Sequence, residues 1–348
     1  MNITFTRFDT LKHTMEITDI RMSRTMWWEK EYIENPYMRA LPMKEMNERF
    51  HDIIANSVDI TDGGKLGLRG RTSRIEWMRY CQHVLVEARN RELPYPLFLD
   101  KRYSPKEDDN SFMSSVRGDH STRAAGAVVR RLSGRVENFH AIKYGEYQYM
   151  KKLLATGEML IQSSRGFDKD SYNEARRDDE NSVSIFGVDT MDGTAIPAYD
   201  VAGRSDQDRM TTFSSSTDRD YMLYCMAGTL SSTLFAHFGQ RDDSCVIIHD
   251  IDEFVQRVDH GTRELFPPEN FIFAHGWVTY FDPLGAIPIT PPIPEGSEVP
   301  IPFLKHFRHA YQDEYRYVWF PRAPKKDGLS LEKVWIGCLH DIAEIIRI

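Results

Sequence analysis

Residues 139–162 read FHAIKYGEYQYMKKLLATGEMLIQ, and this stretch decides the fold class. Phe139 to Tyr144 is short, apolar and strand-like. Tyr147 to Thr156 reads as a helix that stops at Gly157, because glycine tolerates the left-handed backbone that ends a helix. Glu158 to Gln162 is strand-like again. Reading toward the C-terminus, short strands are expected at Val183 to Gly187, Tyr221 to Ala227, Ser244 to His249, Phe271 to Tyr280 and Glu314 to Phe320. Leu230 to Phe238 reads as a helix or irregular turn, and Ile251 to Val258 and Leu304 to Gln312 as helices. Leu331 to Cys338 and Asp341 to Ile348 read as a closing strand and helix. Seven prolines between Pro283 and Pro302 point to an extended surface run. The order is not a regular strand–helix alternation, so residues 136–348 are expected to form a mixed, mainly antiparallel α+β domain.

Toward the N-terminus the period changes. Met43, Met46, Phe50, Ile53 and Ile54 recur at helical spacing, as do Ile75, Met78, Val84 and Ala88, so two helices are expected to share a core. Leu93 to Asn110 reads as an irregular loop, and Ala124 to Leu132 as a short helix. Residues 1–135 are therefore read as a mostly helical domain, with the boundary near 135. A length of 348 residues suits two domains.

Composition excludes several classes. The chain is 41% hydrophobic and 28% charged, ordinary for a globular protein. Its apolar runs are too short to span a bilayer, and the first residues lack a secretory pattern, so a cytoplasmic location is expected. Cys81, Cys225, Cys245 and Cys338 are scattered singly and read as reduced core thiols. Cys81 with His83, and Cys338 with His340, have no further ligands at zinc-site spacing. His140, His237 and His275 lie in apolar runs and read as core residues.

Charge is unevenly distributed. The net charge is −8, yet residues 65–135 hold 15 Lys and Arg against 8 Asp and Glu, a local +7. A basic segment on an acidic chain is a candidate phosphate-facing surface for nucleic acid. A solvated face docked on the acidic remainder is the other reading.

No phosphate loop, dinucleotide fingerprint, zinc-protease helix or nucleophile elbow is present. What stands out are polar residues at strand ends: Lys143-Tyr144-Gly145, the run Tyr172 to Glu180, and Gln312-Asp313-Glu314. Residues two apart on a strand share a face, so Gln312 and Glu314 are expected to present an amide and a carboxylate together. Such a pair suits a ribose and a cationic, oxocarbenium-like transition state.

The order Lys-Tyr-Gly, helix, Gly157, strand, the polar loop from Phe167 to Glu180, the Tyr224-Cys225 strand, the Asp250 to Phe254 turn, Gln312-Asp313-Glu314-Tyr315-Arg316 and the closing Ile336-Gly337 resembles an uncharacterised bacterial domain family related to ADP-ribosyltransferase toxins. The resemblance covers about residues 139–348. It implies an ADP-ribosyltransferase-like split sheet that uses NAD as substrate, with Glu314 as the catalytic glutamate, the electrostatic and base residue, and Gln312 as its companion that orients the acceptor. Lys143 and Tyr144 would stand where the family has an NAD-gripping Arg or His. Lysine departs from that pattern and loses the planar fork. Arg165 and Tyr172 would serve NAD phosphates and ring. For the family's middle Ser-Thr-Ser motif, Ser214 to Thr217 and Ser231 to Thr233 compete. The implied setting is a bacterial toxin or anti-phage effector, acting on nucleic acid or protein and partnered by an antitoxin. A non-catalytic module on the same fold, holding nucleic acid or a partner protein through residues 65–135, is the alternative.

Overall fold

The computed structural model describes residues 2–3, 23–60, 66–68, 71–93, 120–132, 141–167, 181–189, 195–197, 211–217, 219–237, 243–287, 299–323 and 329–348. In chain order the elements begin with β1 (Asn2–Ile3), α1 (Arg24–Glu34), α2 (Met43–Ser57), β2 (Val58–Ile60), β3 (Leu66–Leu68), α3 (Arg71–Asn90) and α4 (His120–Leu132). There follow β4 (Ala141–Gly145), α5 (Tyr147–Thr156), β5 (Glu158–Ser163), β6 (Ser182–Asp189), β7 (Ala195–Pro197), β8 (Thr211–Ser216), β9 (Met222–Ala227) and α6 (Ser232–His237). Then come β10 (Ser244–Ile248), α7 (Ile251–Thr262), β11 (Phe271–Trp277), β12 (Thr279–Phe281), β13 (Val299–Pro300), β14 (Leu304–His306), β15 (Glu314–Pro321), β16 (Glu332–Trp335) and β17 (Ala343–Arg347). Among the described residues no helix is long and apolar enough to cross a membrane.

The principal sheet is antiparallel and runs β11-β15-β9-β4-β10-β17. It forks at β9, which pairs with β4 through Ala227 and with β5 through Met222 and Leu223. β16 then flanks β5. The α+β class read from the sequence therefore holds. One face is covered by α5 and α7. Both present apolar stripes, and Leu153, Phe254 and Val258 meet Tyr317 and Trp319 in the main core. Asp250 starts α7 by accepting from the Glu253 amide, and Gly157 ends α5 at φ +66°. A side chain at Gly157 would also strike the Gly337 carbonyl, 2.3 Å from a built Cβ, so the position admits only glycine on two counts.

Two expectations of secondary structure change. Asp341 to Ile348 is not a helix: Ala343–Arg347 is the edge strand β17, which pairs along all five residues of β10. Leu304 to Gln312 is not one helix but β14 followed by a 3-10 turn over Phe307–Gln312, in which β14 runs parallel to β12. In both cases a neighbouring strand offered backbone partners that local propensity does not register. The helical core is also not closed within residues 1–135. Met38, Met46, Phe50, Ile53, Tyr80 and Val84 share it with Leu284, Ala286, Ile287 and Phe307. Arg49 grips Asp282 across this junction through two bonds of 2.6 and 2.7 Å, both groups buried. The loop at 93–110 lies outside the described residues beyond 93. The four cysteines are free thiols, but Cys338 is exposed and not in the core.

Candidate functional site

Glu314 opens β15 directly after the 3-10 turn, and the residue between, Asp313, has φ +45°. Gln312 is therefore not on the strand, and strand alternation is not what brings it near Glu314. The two converge on a third side chain. Lys305 of β14 donates from Nζ to Glu314 Oε2 at 3.0 Å and to Gln312 Oε1 at 3.2 Å. Arg316, two residues along β15 and on the same face, donates from Nε to Glu314 Oε1 at 2.8 Å and from another nitrogen to the Pro302 carbonyl at 2.6 Å. The Glu314 amide donates to the Tyr280 hydroxyl at 2.8 Å.

All of this is inside the protein. Gln312 is 3% exposed, Glu314 and Lys305 are 6%, and Arg316 is 0%. Burial alone would push the Glu314 pKa up. Arg316 and then Lys305 outweigh it, helped by hydrogen bonds from Arg316 and the Cys225 thiol, and hold the carboxyl well below the usual range. The Tyr280 hydroxyl is pushed the other way, first by burial and then by the Glu314 charge. The carboxylate is thus ionised and bound on both oxygens by cations of its own chain. A catalytic carboxylate must instead offer an oxygen to a substrate.

The predicted cofactor residues are spread across the sheet. Ala227 pairs with Glu314 on one side and Ile142 on the other, so Glu314, Ala227 and Ile142 share a face. Lys143, one residue on, points to the opposite face. There its Nζ sits 4.4 Å from the Tyr224 ring centroid and donates to the Cys225 carbonyl at 2.8 Å. The sheet does not bring Lys143 to Glu314, because adjacent strand residues alternate sides. Tyr144 is on the Glu314 face but buried, donating to the Thr229 carbonyl at 2.8 Å and accepting from the Ser231 amide at 3.0 Å. Arg165 is exposed just beyond Ser163, which pairs with Met222. That is the other end of β9 from Glu314, about 17 Å away at strand rise. Tyr172 and the run to Glu180 lie outside the described residues.

Of the two Ser/Thr stretches, Ser214 is on a separate three-stranded sheet and meets Ser184 at 2.9 Å. Ser231, Ser232 and Thr233 lie beside Tyr144 on the principal sheet, where they close on Asp59. His140 lies outside the described residues. His275 is exposed and shares a 2.7 Å hydrogen bond with the Tyr315 hydroxyl, so it is not a core histidine.

Sequence reasoning missed Lys305, Tyr280 and Asp59. Lys305 lies in a stretch read as helix, and nothing local marks its partner nine residues on. Arg316 was visible in the quoted run, and an acid and a base two apart on a strand could have been read as a pair. A surface cavity of about 410 Å³ lies elsewhere, lined by Gln256, Arg257, His260, Gly261, Trp335 and Ile336, none of which belongs to the expected site. Compared with protein-family models, curated proteins and solved structures, the chain matches none.

Proposed function

We propose that this protein is a non-catalytic α+β module that binds nucleic acid through its basic segment, residues 65–135. The observation that carries the reading is the closure of Glu314: an acid held on both oxygens by Lys305 and Arg316, at 6% exposure, serves the fold. The local charge of +7, of which Arg79 and Arg89 are paired with Glu31 and Glu29 of α1, supplies the binding side. The sheet then acts as a scaffold, and the antitoxin and NAD of the rival reading are not required.

A second reading has one observation in its favour. Gln312 and Glu314 do converge, on Lys305, as an ADP-ribosyltransferase-like site that transfers from NAD would need. It requires both cations to release the carboxylate before a ribose can reach it.

One pair of assays separates the two. Binding of labelled DNA and RNA, followed by anisotropy between about 50 and 200 mM salt, is expected to weaken by about 10³ if some six phosphates are neutralised. Incubation with NAD and cell extract, with Glu314→Ala as control, is expected to release no nicotinamide beyond that control. Glu314-dependent nicotinamide release would overturn the module reading. Absence of salt-sensitive binding would remove its nucleic-acid half.

A further inference from the structure

The main path of the principal sheet ends at β11 on one side and at β17 on the other, and the two ends are built differently. β17 is five residues long and carries the exposed charges of Glu344 and Arg347. Charges of that kind keep an unpaired strand from adding another. β11 is seven residues long, FIFAHGW, and holds no Lys, Arg, Asp, Glu or Pro. Its register with β15 runs unbroken from Phe271 opposite Pro321 to Trp277 opposite Tyr315, so no bulge turns the edge aside.

The ladder fixes which backbone groups this edge offers. At the two ends of the β11–β15 pairing, the Val278 amide donates to the Glu314 carbonyl and the Arg322 amide to the Asn270 carbonyl. Hydrogen-bonded pairs alternate along antiparallel strands, so Ile272, Ala274 and Gly276 direct their N–H and C=O groups to β15. Phe273 and His275 direct theirs outward, where none meets a partner among the described residues. The side chains alternate as well. Phe273 and His275 lie on the side of Tyr317 and Trp319, and Ile272, Ala274 and Gly276 on the side of Val318 and Phe303.

We propose that β11 is a dimerisation edge: it pairs antiparallel with β11 of a second copy of this chain about a twofold axis through Ala274, joining two principal sheets into one. The strand itself selects this occupant. In that register Ile272, 48% exposed, lies opposite the partner's Gly276, and Gly276 lies opposite the partner's Ile272, so each bulky side chain crosses a position that has none. On the other face Phe273 meets the partner's His275, an aromatic pair formed twice. The outward groups of Phe273 and His275 are then the ones that exchange hydrogen bonds. Ala274 meets its own copy at the closer, non-hydrogen-bonded position, where a small side chain fits. No like charges are brought together, since Glu269, the nearest acid in sequence, falls opposite the partner's Thr279. A single strand pair sits at the small end of interfaces, below about 1,200 Å² in total, so a dissociation constant of roughly 10 µM is expected. The inference is independent of the nucleic-acid reading.

Sedimentation velocity of the full chain between about 1 and 100 µM reads the mass, and the unaltered protein is expected to pass from monomer to dimer over that range. His275→Pro deletes one outward N–H per copy and leaves every bond to β15 in place, so it is expected to stay monomeric. His275→Phe keeps the N–H and a ring and is expected to dimerise. Ile272→Lys puts a cation on the exposed edge and is expected to be monomeric. The register has its own readout. In a Cys338→Ser background, which removes the exposed native thiol, Ala274→Cys is expected to form a disulfide between copies, because facing Cβ atoms there lie about 4.5 to 5.5 Å apart. Ile272→Cys, about 13 Å from its own copy, is expected to stay unlinked. Circular dichroism checks that each variant is folded; should His275→Pro fail to fold, Ile272→Lys at its exposed site decides. A protein that is monomeric throughout the range overturns the proposal, and so does a dimer that survives both Ile272→Lys and His275→Pro. If His275→Phe is monomeric too, the imidazole and not the backbone makes the contact, which counts against strand pairing. A dimer whose Ala274→Cys form stays unlinked overturns the pairing about that residue.

Discussion

Glu314→Gln keeps the shape of the side chain and removes its charge, leaving Lys305 and Arg316 buried without their shared anion. The magnitude follows from the geometry. At 3.0 and 2.8 Å, with an effective dielectric constant near 20, each cation attracts the carboxylate by about 5 to 6 kcal/mol, most of it offset by the cost of removing three ions from water. Deleting one partner does not recover that cost, because the remaining ions stay desolvated, and such deletions cost about 3 to 5 kcal/mol. That is a large fraction of the roughly 5 to 15 kcal/mol that holds a typical fold together. The assay is urea unfolding followed by far-UV circular dichroism and by fluorescence, with the buried Trp319 among the reporters. The midpoint is expected to fall sharply. Adding Lys305→Met to Glu314→Gln is expected to restore part of the loss, since one stranded cation disappears. The pH limb gives an independent reading. A carboxyl held below its ordinary 4.5 stabilises the fold above that value and loses the contribution as pH falls below it, so Glu314→Gln is expected to flatten the acid limb. A change within about 0.5 kcal/mol, the range of an ordinary surface substitution, would refute the argument and hand the carboxylate back to chemistry.

Arg49→Met breaks the grip on Asp282 at the junction of helices and sheet, where Asp282 also accepts from the amides of Leu284, Ala286 and Ile287. A loss of about 3 to 5 kcal/mol is expected, with faster hydrogen exchange concentrated in α2; protection unchanged there would contradict it. His83 is buried against Tyr37, Tyr80 and Glu31. Burial first, and then Arg79 and Arg49, hold its pKa at about 3. The unfolded chain takes its proton near pH 6.5 and the folded one does not. Stability should therefore fall as pH drops below 6.5, by up to about 1.4 kcal/mol per unit. His83→Gln should remove that slope between about pH 6 and 5, where carboxylates contribute little.

The strand–helix–strand at 141–163, the strands at 222–227, 244–248 and 314–321, and the helix at 43–57 were legible, because each carries its period and its stop signal locally. Two kinds of information were not. Period two says that Lys143 and Tyr144 face opposite ways, but not which of them shares a side with Glu314. That is settled by the long-range pairing of Ile142 with Ala227. The apolar run at 341–348 fits either period, and the open edge of β10 chose the strand. At the candidate site the anionic residue was readable and its cations were not. Lys305 reaches Glu314 where β14 lies parallel to β12, a contact with no signature in the eight residues between them.

The strand order has a consequence for biosynthesis. β9 at the middle of the sheet borrows its neighbours from about eighty residues earlier and ninety residues later, and β10 waits for β17 near residue 345. The principal sheet is complete only once β17 has been made. Half-made chains would display β9 and β10 as bare, apolar templates for one another, so yield in a host is expected to depend on holdase chaperones and low temperature more than on codon choice.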